Sequence, residues 1–404
     1  MKLHQATKFF LRLTLSFILL IVMLVTRHSS AYASTITVTT TANSGAGSLR
    51  QALVDATAGD VITFDASLTG QTITLASELS VATPLTIDGS TTPNVTVSAN
   101  FHARVFSASA PLTLIGFTIA NGQAQPTFSG GGIFTNNDLT LILMHIIDNQ
   151  ASFGGGIYSA NGNLVINQST LSGNTADNGG GGLFKDISGS TTISNSAIYS
   201  NTANEDGGGL QIDGGSLLLE NSTVSGNQAT QNGGGIWDSV TGATLHYSTL
   251  TNNQAGSSGG GLYVQGGGNV ALDSTVIANS QTGGDCVGTI SDTGYNFIED
   301  AANACGLTDG LNHNFIGVDP ALTALGNYGG PTWTHIHLDT GNLPDHGNPA
   351  TCPGADQRGS VRPSGAGCDI GAVEADLAPT FNTATPANGA TDVAANGNLV
   401  FQFS

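Results

Sequence analysis

Residues 154–183 read GGGIYSANGNLVINQSTLSGNTADNGGGGL, a stretch that opens and closes on the same signature, three glycines followed by an aliphatic residue. Between the two signatures lie short apolar runs, Leu164-Val165-Ile166 and then Leu171, separated by Gly, Asn, Ser and Asp. No apolar stripe with a 3.6-residue period of ten or more residues crosses it, which argues against a helical repeat. A leucine-rich repeat would need several fixed leucines per copy, and they are absent. The length suits three strands of four or five residues and three bends, one coil of a parallel β-helix.

Working outward, the signature recurs at Gly130-Gly131-Gly132-Ile133, Gly207-Gly208-Gly209-Leu210, Gly233-Gly234-Gly235-Ile236 and Gly259-Gly260-Gly261-Leu262. Successive first glycines are 24, 26, 27, 26 and 26 residues apart. A second marker keeps step: Asn149, Asn174, Asn201, Asn227, Asn253 and Asn279, each preceded three residues earlier by Ile146, Leu171, Ile198, Val224, Leu250 or Val276. Two markers at one period define a solenoid. The expected fold class is therefore all-β, a right-handed parallel β-helix of about 26 residues per coil.

Coils lie about 4.8 Å apart, so a side chain inside a tight bend meets its own copies above and below. Glycine avoids that clash and reaches positive φ without strain. Asparagines stacked at one turn can donate amide to amide along the axis. Asn121 reads as a further ladder member with a one-residue slip. These residues are read as structural rather than as phosphate cradles or metal ligands, because a site is made once and not six times.

Residues 1–33 read as a secretory signal peptide. Lys2, Lys8 and Arg12 precede an apolar run from Leu13 to Val25, and Ala31-Tyr32-Ala33 offers a cleavage site. The run is short for a membrane span, and the mature chain has none. The formal net charge is −19. Four of the nine basic residues (Lys2, Lys8, Arg12, Arg27) precede residue 34, where there is no acid, so the remainder sets 5 basic residues against 28 acidic ones. Such a surface repels nucleic acid and anionic lipid. Four cysteines (Cys286, Cys305, Cys352, Cys368) all follow the repeats. In an exported chain they read as disulfides, Cys286–Cys305 and Cys352–Cys368 being the sequence-local pairing of three possible ones.

The remaining organisation follows from what a solenoid needs. Its end exposes core and strand edges, so it needs a cap. Ser48 to Ala56 reads as a short amphipathic helix with Leu49, Ala52, Leu53 and Ala56 on one face. The expected units are the signal peptide (1–33), cap and irregular coils (34–120), regular repeats (121–280), a disulfide-bearing closing region (281–376), and a further piece (377–404).

Several stretches resemble known families. Gly45-Ala46-Gly47-Ser48-Leu49-Arg50-Gln51-Ala52-Leu53 with Gly59-Asp60-Val61-Ile62-Thr63-Phe64 resembles the start of many exported bacterial β-helix proteins. The repeats loosely resemble polymorphic outer membrane protein repeats, with Gly in place of Ala and aliphatics in place of Phe. Asn327-Tyr328-Gly329-Gly330-Pro331-Thr332, Asp356-Gln357-Arg358-Gly359 and Cys368-Asp369-Ile370-Gly371-Ala372-Val373-Glu374 look like the choice-of-anchor Q region, which closes a β-helix ahead of a surface anchor. Asp345-His346-Gly347 departs from that pattern, and no site is read into His346. Residues 377–404 resemble the first strands of a truncated Ig-like domain. The resemblance implies a secreted protein, attached to the cell surface through a segment beyond residue 404.

For chemistry, a β-helix can host polysaccharide lyases and hydrolases, but fold alone does not assign them. A lyase needs a base beside calcium-holding acids. The repeats offer only Lys185, next to Asp186 with Glu205 and Asp206 nearby, and Lys185 reads as a solvated turn residue. A hydrolase needs paired acids, whereas Asp148, Asp177, Asp213, Asp238 and Asp273 stand singly. His335-Ile336-His337 near Asp339 makes a thin metal site. No cofactor is expected beyond weak Ca2+ binding at acidic turns. Phe134, Tyr158, Phe184, Trp237 and Tyr263 each follow the glycine signature. Period two sends them outward where Ile and Leu go inward, giving an external stripe that could stack on sugars or simply on itself. The expected function is non-enzymatic: adhesion, glycan binding or envelope structure, with an extracellular polysaccharide or a cell-surface protein as partner. The alternative is a polysaccharide lyase or glycoside hydrolase.

Overall fold

The computed structural model describes residues 33–124, 128–337, 341–375, 381–385 and 400–403. Residues 1–32, nearly all of the expected signal peptide, lie outside them. Strands stack coil on coil into three parallel sheets. Sheet A has 11 strands, from Thr35–Val38 to Ile290–Asp292; sheet B has 11, from Thr72–Thr74 to Phe315–Ile316; sheet C has nine, from Leu79–Val81 to Cys286–Val287. The molecule is a parallel β-helix. In the quoted coil the chain runs through Ile157–Ser159 in sheet C, Leu164–Asn167 in sheet A and Thr170–Ser172 in sheet B. The expected three strands gain a fourth, Thr175–Ala176, one of five two-residue strands of a narrow sheet D.

Alternation decides the core. Ile133, Ile157, Leu183, Leu210, Ile236 and Leu262 are in register and fully buried. Each such side chain contributes about 1.5–3 kcal/mol of burial. The glycine run does two jobs. Gly180 takes φ +68°, a region that costs glycine little. A Cβ on Gly181 would lie 2.3 Å from the Gly208 carbonyl oxygen of the next coil. Without side chains the backbones close up, and Gly180, Gly181 and Gly182 donate to the carbonyls of Asp206, Gly207 and Gly209 at 3.0–3.1 Å.

The asparagine ladder is present and continuous from Asn149 to Asn253. Each Nδ2 donates to the next Oδ1 at 2.9–3.0 Å, and all five residues are fully buried. Its two ends differ from the sequence expectation. Leu250 pairs with Ile277 rather than Val276, so Ser280 stands at the sixth position and Asn279 falls outside the ladder. The physical reason is one added residue in the turn between Val264 and Val270: the register is 26 at Ile236–Leu262 but 27 at Leu245–Leu272. At the other end Ile119 pairs with Ile146, so Gly122 and not Asn121 meets Asn149, donating its amide to Asn149 Oδ1 at 2.8 Å. A second ladder runs along the bend between sheets A and B. There the amides of Met144, Ser169 and Ser196 donate to the hydroxyls of Ser169, Ser196 and Ser222 at 3.0–3.1 Å.

The N-terminal helix α1 spans Leu49–Asp55. Ser48 caps it, accepting from the Gln51 amide, and Leu49 and Ala52 are buried against the first coil. At the other end the disulfides are Cys286–Cys305 and Cys352–Cys368. The chain then turns back along the outer face of sheet B. Thr334 and Gln357 meet Thr223, His335 meets Ser225, and the Ala372 amide donates to Thr249. This returning segment has little regular structure. It is held by buried polar pairs: the ion pairs Arg358–Asp356 at 2.9 Å and Arg362–Glu374 at 3.2 Å, and the His337–Asp369 contact at 3.1 Å. The Arg362 guanidinium also lies over the Tyr247 ring, 4.8 Å from its centroid. Beyond it, Phe381–Thr385 and Val400–Phe403 pair antiparallel.

Candidate binding face on sheet C

Sheet C presents its middle residue outward in every repeat coil. Phe134, Tyr158, Phe184, Gln211, Trp237 and Tyr263 follow one another in register. The Phe134 and Tyr158 rings stack at 5.5 Å, and the Tyr158 and Phe184 rings at 5.4 Å, within 7° of parallel. Phe153 meets the Phe184 ring edge-on at 5.1 Å, and the Arg104 guanidinium lies 5.0 Å from the Phe134 centroid. Phe134, Tyr158 and Tyr263 keep partial exposure. Phe184 and Trp237 are covered, at 5 % and 8 % exposed. Gln211 interrupts the rings, dividing a three-ring run from Trp237 and Tyr263.

Carboxylates rim this face. The Tyr158 hydroxyl donates to Asp186, and burial together with that carboxylate pushes the phenol's pKa up. Gln211 Nε2 donates to Asp213 Oδ1 at 3.0 Å. Lys185 pairs with Ile212, so Asp213, which reads as a single acid in the sequence, stands on the coil adjacent to Asp186. Partial burial and the carboxylates of Asp186 and Asp206 raise the Asp213 pKa.

The third residue of each strand points inward, and this overturns the solvated reading of Lys185. Lys185 is fully buried. Its Nζ donates to Ser159 Oγ at 3.1 Å and to the Gly162 carbonyl at 2.8 Å. Burial lowers its pKa to about 8, against the nearby Asp138 and Asp186. It offers no base to the surface. Asp238 occupies the same inward row two coils on, fully buried, with neither carboxylate oxygen hydrogen-bonded. Burial pushes its pKa up to about 7. Ile212 stands between the two in register, so they are not neighbours.

The histidine pair is already occupied. His335 bonds Ser225 and the Thr323 carbonyl, while His337 bonds Asp369. Asp339 lies outside the described residues. Among the described residues no three His, Cys, Asp or Glu side chains converge as a metal site. The five arginines and lysines of the described chain all have protein partners. Arg50 donates to carbonyls of Asn43, Ser77 and Glu78, and Arg104 to those of Ser129 and Gly130 and to Glu78. Lys185, Arg358 and Arg362 are held as described above.

Two segments, residues 221–239 and 247–265, match the Chlamydia polymorphic membrane protein repeat. They contain Asn227 and Asn253 and the two glycine signatures that follow them, so the match falls on the ladder and the bend. Among solved structures, the crystal structure of pectate lyase Pel9A is similar with a TM-score of 0.49 and 14% identity, covering 86% of this chain and 98% of that one. No curated protein matches. No helix among the described residues is long and apolar enough to cross a membrane.

Proposed function

We propose that this chain is a non-enzymatic extracellular or cell-surface β-helix protein that binds polysaccharide along sheet C. The observation that carries the reading is the aromatic row, with Tyr158 and Tyr263 partly open to solvent on an otherwise small, polar face. The repeat match and the two disulfides support an oxidising, external setting. The choice-of-anchor Q resemblance of residues 281–376 belongs to the same proposal, as the closing unit of a surface protein. Against cleavage stands the fate of the candidate base: Lys185 faces the core. Calcium at the acidic turns would stabilise rather than catalyse.

The experiment is co-sedimentation of the mature chain with a panel of insoluble polysaccharides, alongside an assay for new reducing ends and unsaturated products. Binding without cleavage is the expected result. In the Tyr158→Ala/Tyr263→Ala double variant it should weaken about tenfold, roughly 1.4 kcal/mol. Unchanged binding in that variant removes the proposal. A second reading rests on the stacking of Asp213 against Asp186 beside Tyr158, a pair of acids on one face that could serve a glycoside hydrolase. Reducing ends that disappear in Asp213→Asn would establish it.

A further inference from the structure

At the C-terminal end of the solenoid, a cleft of about 550 Å³ opens between the last coil and the returning segment. That volume is in the range of small-ligand sites. The last coil contributes Tyr295, Asp309, His313 and Phe315; the returning segment contributes Asp345 and His346. Its walls are rings. The Tyr295 and His313 rings stack at 4.5 Å, and the His346 ring meets Phe315 edge-on at 5.2 Å.

Two carboxylates stand between these walls as acceptors. Asp309 Oδ1 takes the Ile316 amide at 3.0 Å, and Asp345 Oδ1 takes the Gly367 amide at 2.8 Å. The second oxygen of each carboxylate has no partner among the described residues. His346 Nδ1 faces the Pro344 carbonyl. A carbonyl only accepts, so Nδ1 carries a proton in this contact, and the ring itself forms part of the wall. No Lys or Arg lines the cleft, and all five described ones are bound elsewhere. The site therefore asks for a ligand with a flat apolar face and several donors, carrying no negative charge.

We infer that this cleft binds one or two residues of a neutral or amino sugar. The sugar's C–H face packs against the rings, and its hydroxyls or amine donate to Asp309 and Asp345. Uronates, sulfated sugars and phosphates are disfavoured by the two carboxylates, with no Lys or Arg lining the cleft to offset them. This inference uses none of the sheet C residues and stands whether or not that face binds glycan.

The test is saturation-transfer NMR and calorimetry on the mature chain. The probes are cellobiose, chitobiose, chitosan disaccharide, digalacturonate and a Lys-Gly-Lys peptide. The expected result is binding of at least one neutral or amino disaccharide, with digalacturonate at least tenfold weaker. His346→Ala and Asp309→Asn, both on exposed side chains, should each weaken that binding at least threefold with an unchanged melting curve. The Tyr158→Ala/Tyr263→Ala variant should leave it intact, which separates this site from the sheet C proposal. Equal binding of digalacturonate, binding of the peptide alone, binding of none of the probes, or full affinity in both cleft variants would each overturn the inference.

Discussion

The repeat body and the returning segment are built on opposite principles. In the body, from Ile133 to Ala278, each group finds its partner in the same position one coil away: amide on amide, glycine on glycine, leucine on leucine. Its strength is the sum of many similar interfaces between neighbours. The segment from Thr332 to Glu374 has no such copies. It is fixed by a few unlike pairs, Arg362 with Glu374, His337 with Asp369 and Gln357 with Thr223. Repetition spreads stability thinly and evenly, whereas unlike pairing concentrates it at single residues.

This contrast can be broken most severely at Arg362. The side chain is buried and also donates to the Asp369 and Gly371 carbonyls. Arg362→Met should cost about 3–5 kcal/mol, because it strands a buried carboxylate. The loss should stay local: hydrogen exchange should show residues 341–375 unprotected and the body unchanged. Exposure spreading through the coils would mean the segment is part of the body's cooperative unit.

Next in size is a pH effect confined to the body. Asp238 has a folded pKa near 7, well above its usual 3.8, so its contribution is present at low pH and lost as pH rises from about 4 to 7. Lys185 is shifted the other way, to about 8 from 10.5, so stability returns as pH rises from about 8 towards 10.5. The acid limb is worth on the order of 4 kcal/mol and the alkaline one on the order of 3 kcal/mol. Thermal melts should trough between pH 7 and 8. Asp238→Asn should flatten the acid limb and Lys185→Met the alkaline one. A wild-type curve level across pH 4–8 would contradict the buried placement of Asp238.

Gly181→Ala sets a methyl against the backbone of the next coil and should cost about 3 kcal/mol, read as a lowered midpoint in urea. Smallest is Asn201→Ala, one rung of the ladder, at about 2 kcal/mol for the hydrogen bonds it strands. If one rung costs more than Arg362, the distinction between spread and concentrated stability fails.

Much of the body was legible in the sequence because periodicity is what builds it. The glycine signature, the inward Ile and Leu and the asparagine ladder follow from spacing, while the local disulfide pairing is one of three that the sequence leaves open. Three failures have physical causes. Lys185 was read from its charge rather than from the alternation that its neighbour Phe184 already implied. Asn279 kept the 26-residue count while the coil beneath it had gained a residue in a turn. The serine ladder at Ser169, Ser196 and Ser222 was visible at the same period but lay hidden among many serines. The sheet C face was half legible: the ring row follows from the signature, whereas Asp186 beside Asp213 needs the register. The terminal cleft was not legible at all. Tyr295, His313 and His346 carry no periodic signal, and they meet only because the chain turns back after the last coil.

After residue 33 the chain sets 5 arginines and lysines against 28 acids, so its outside is strongly negative at neutral pH. Two copies brought side by side would push each other apart over roughly 8 Å at physiological salt. A dense layer of such rods would hold open channels between them.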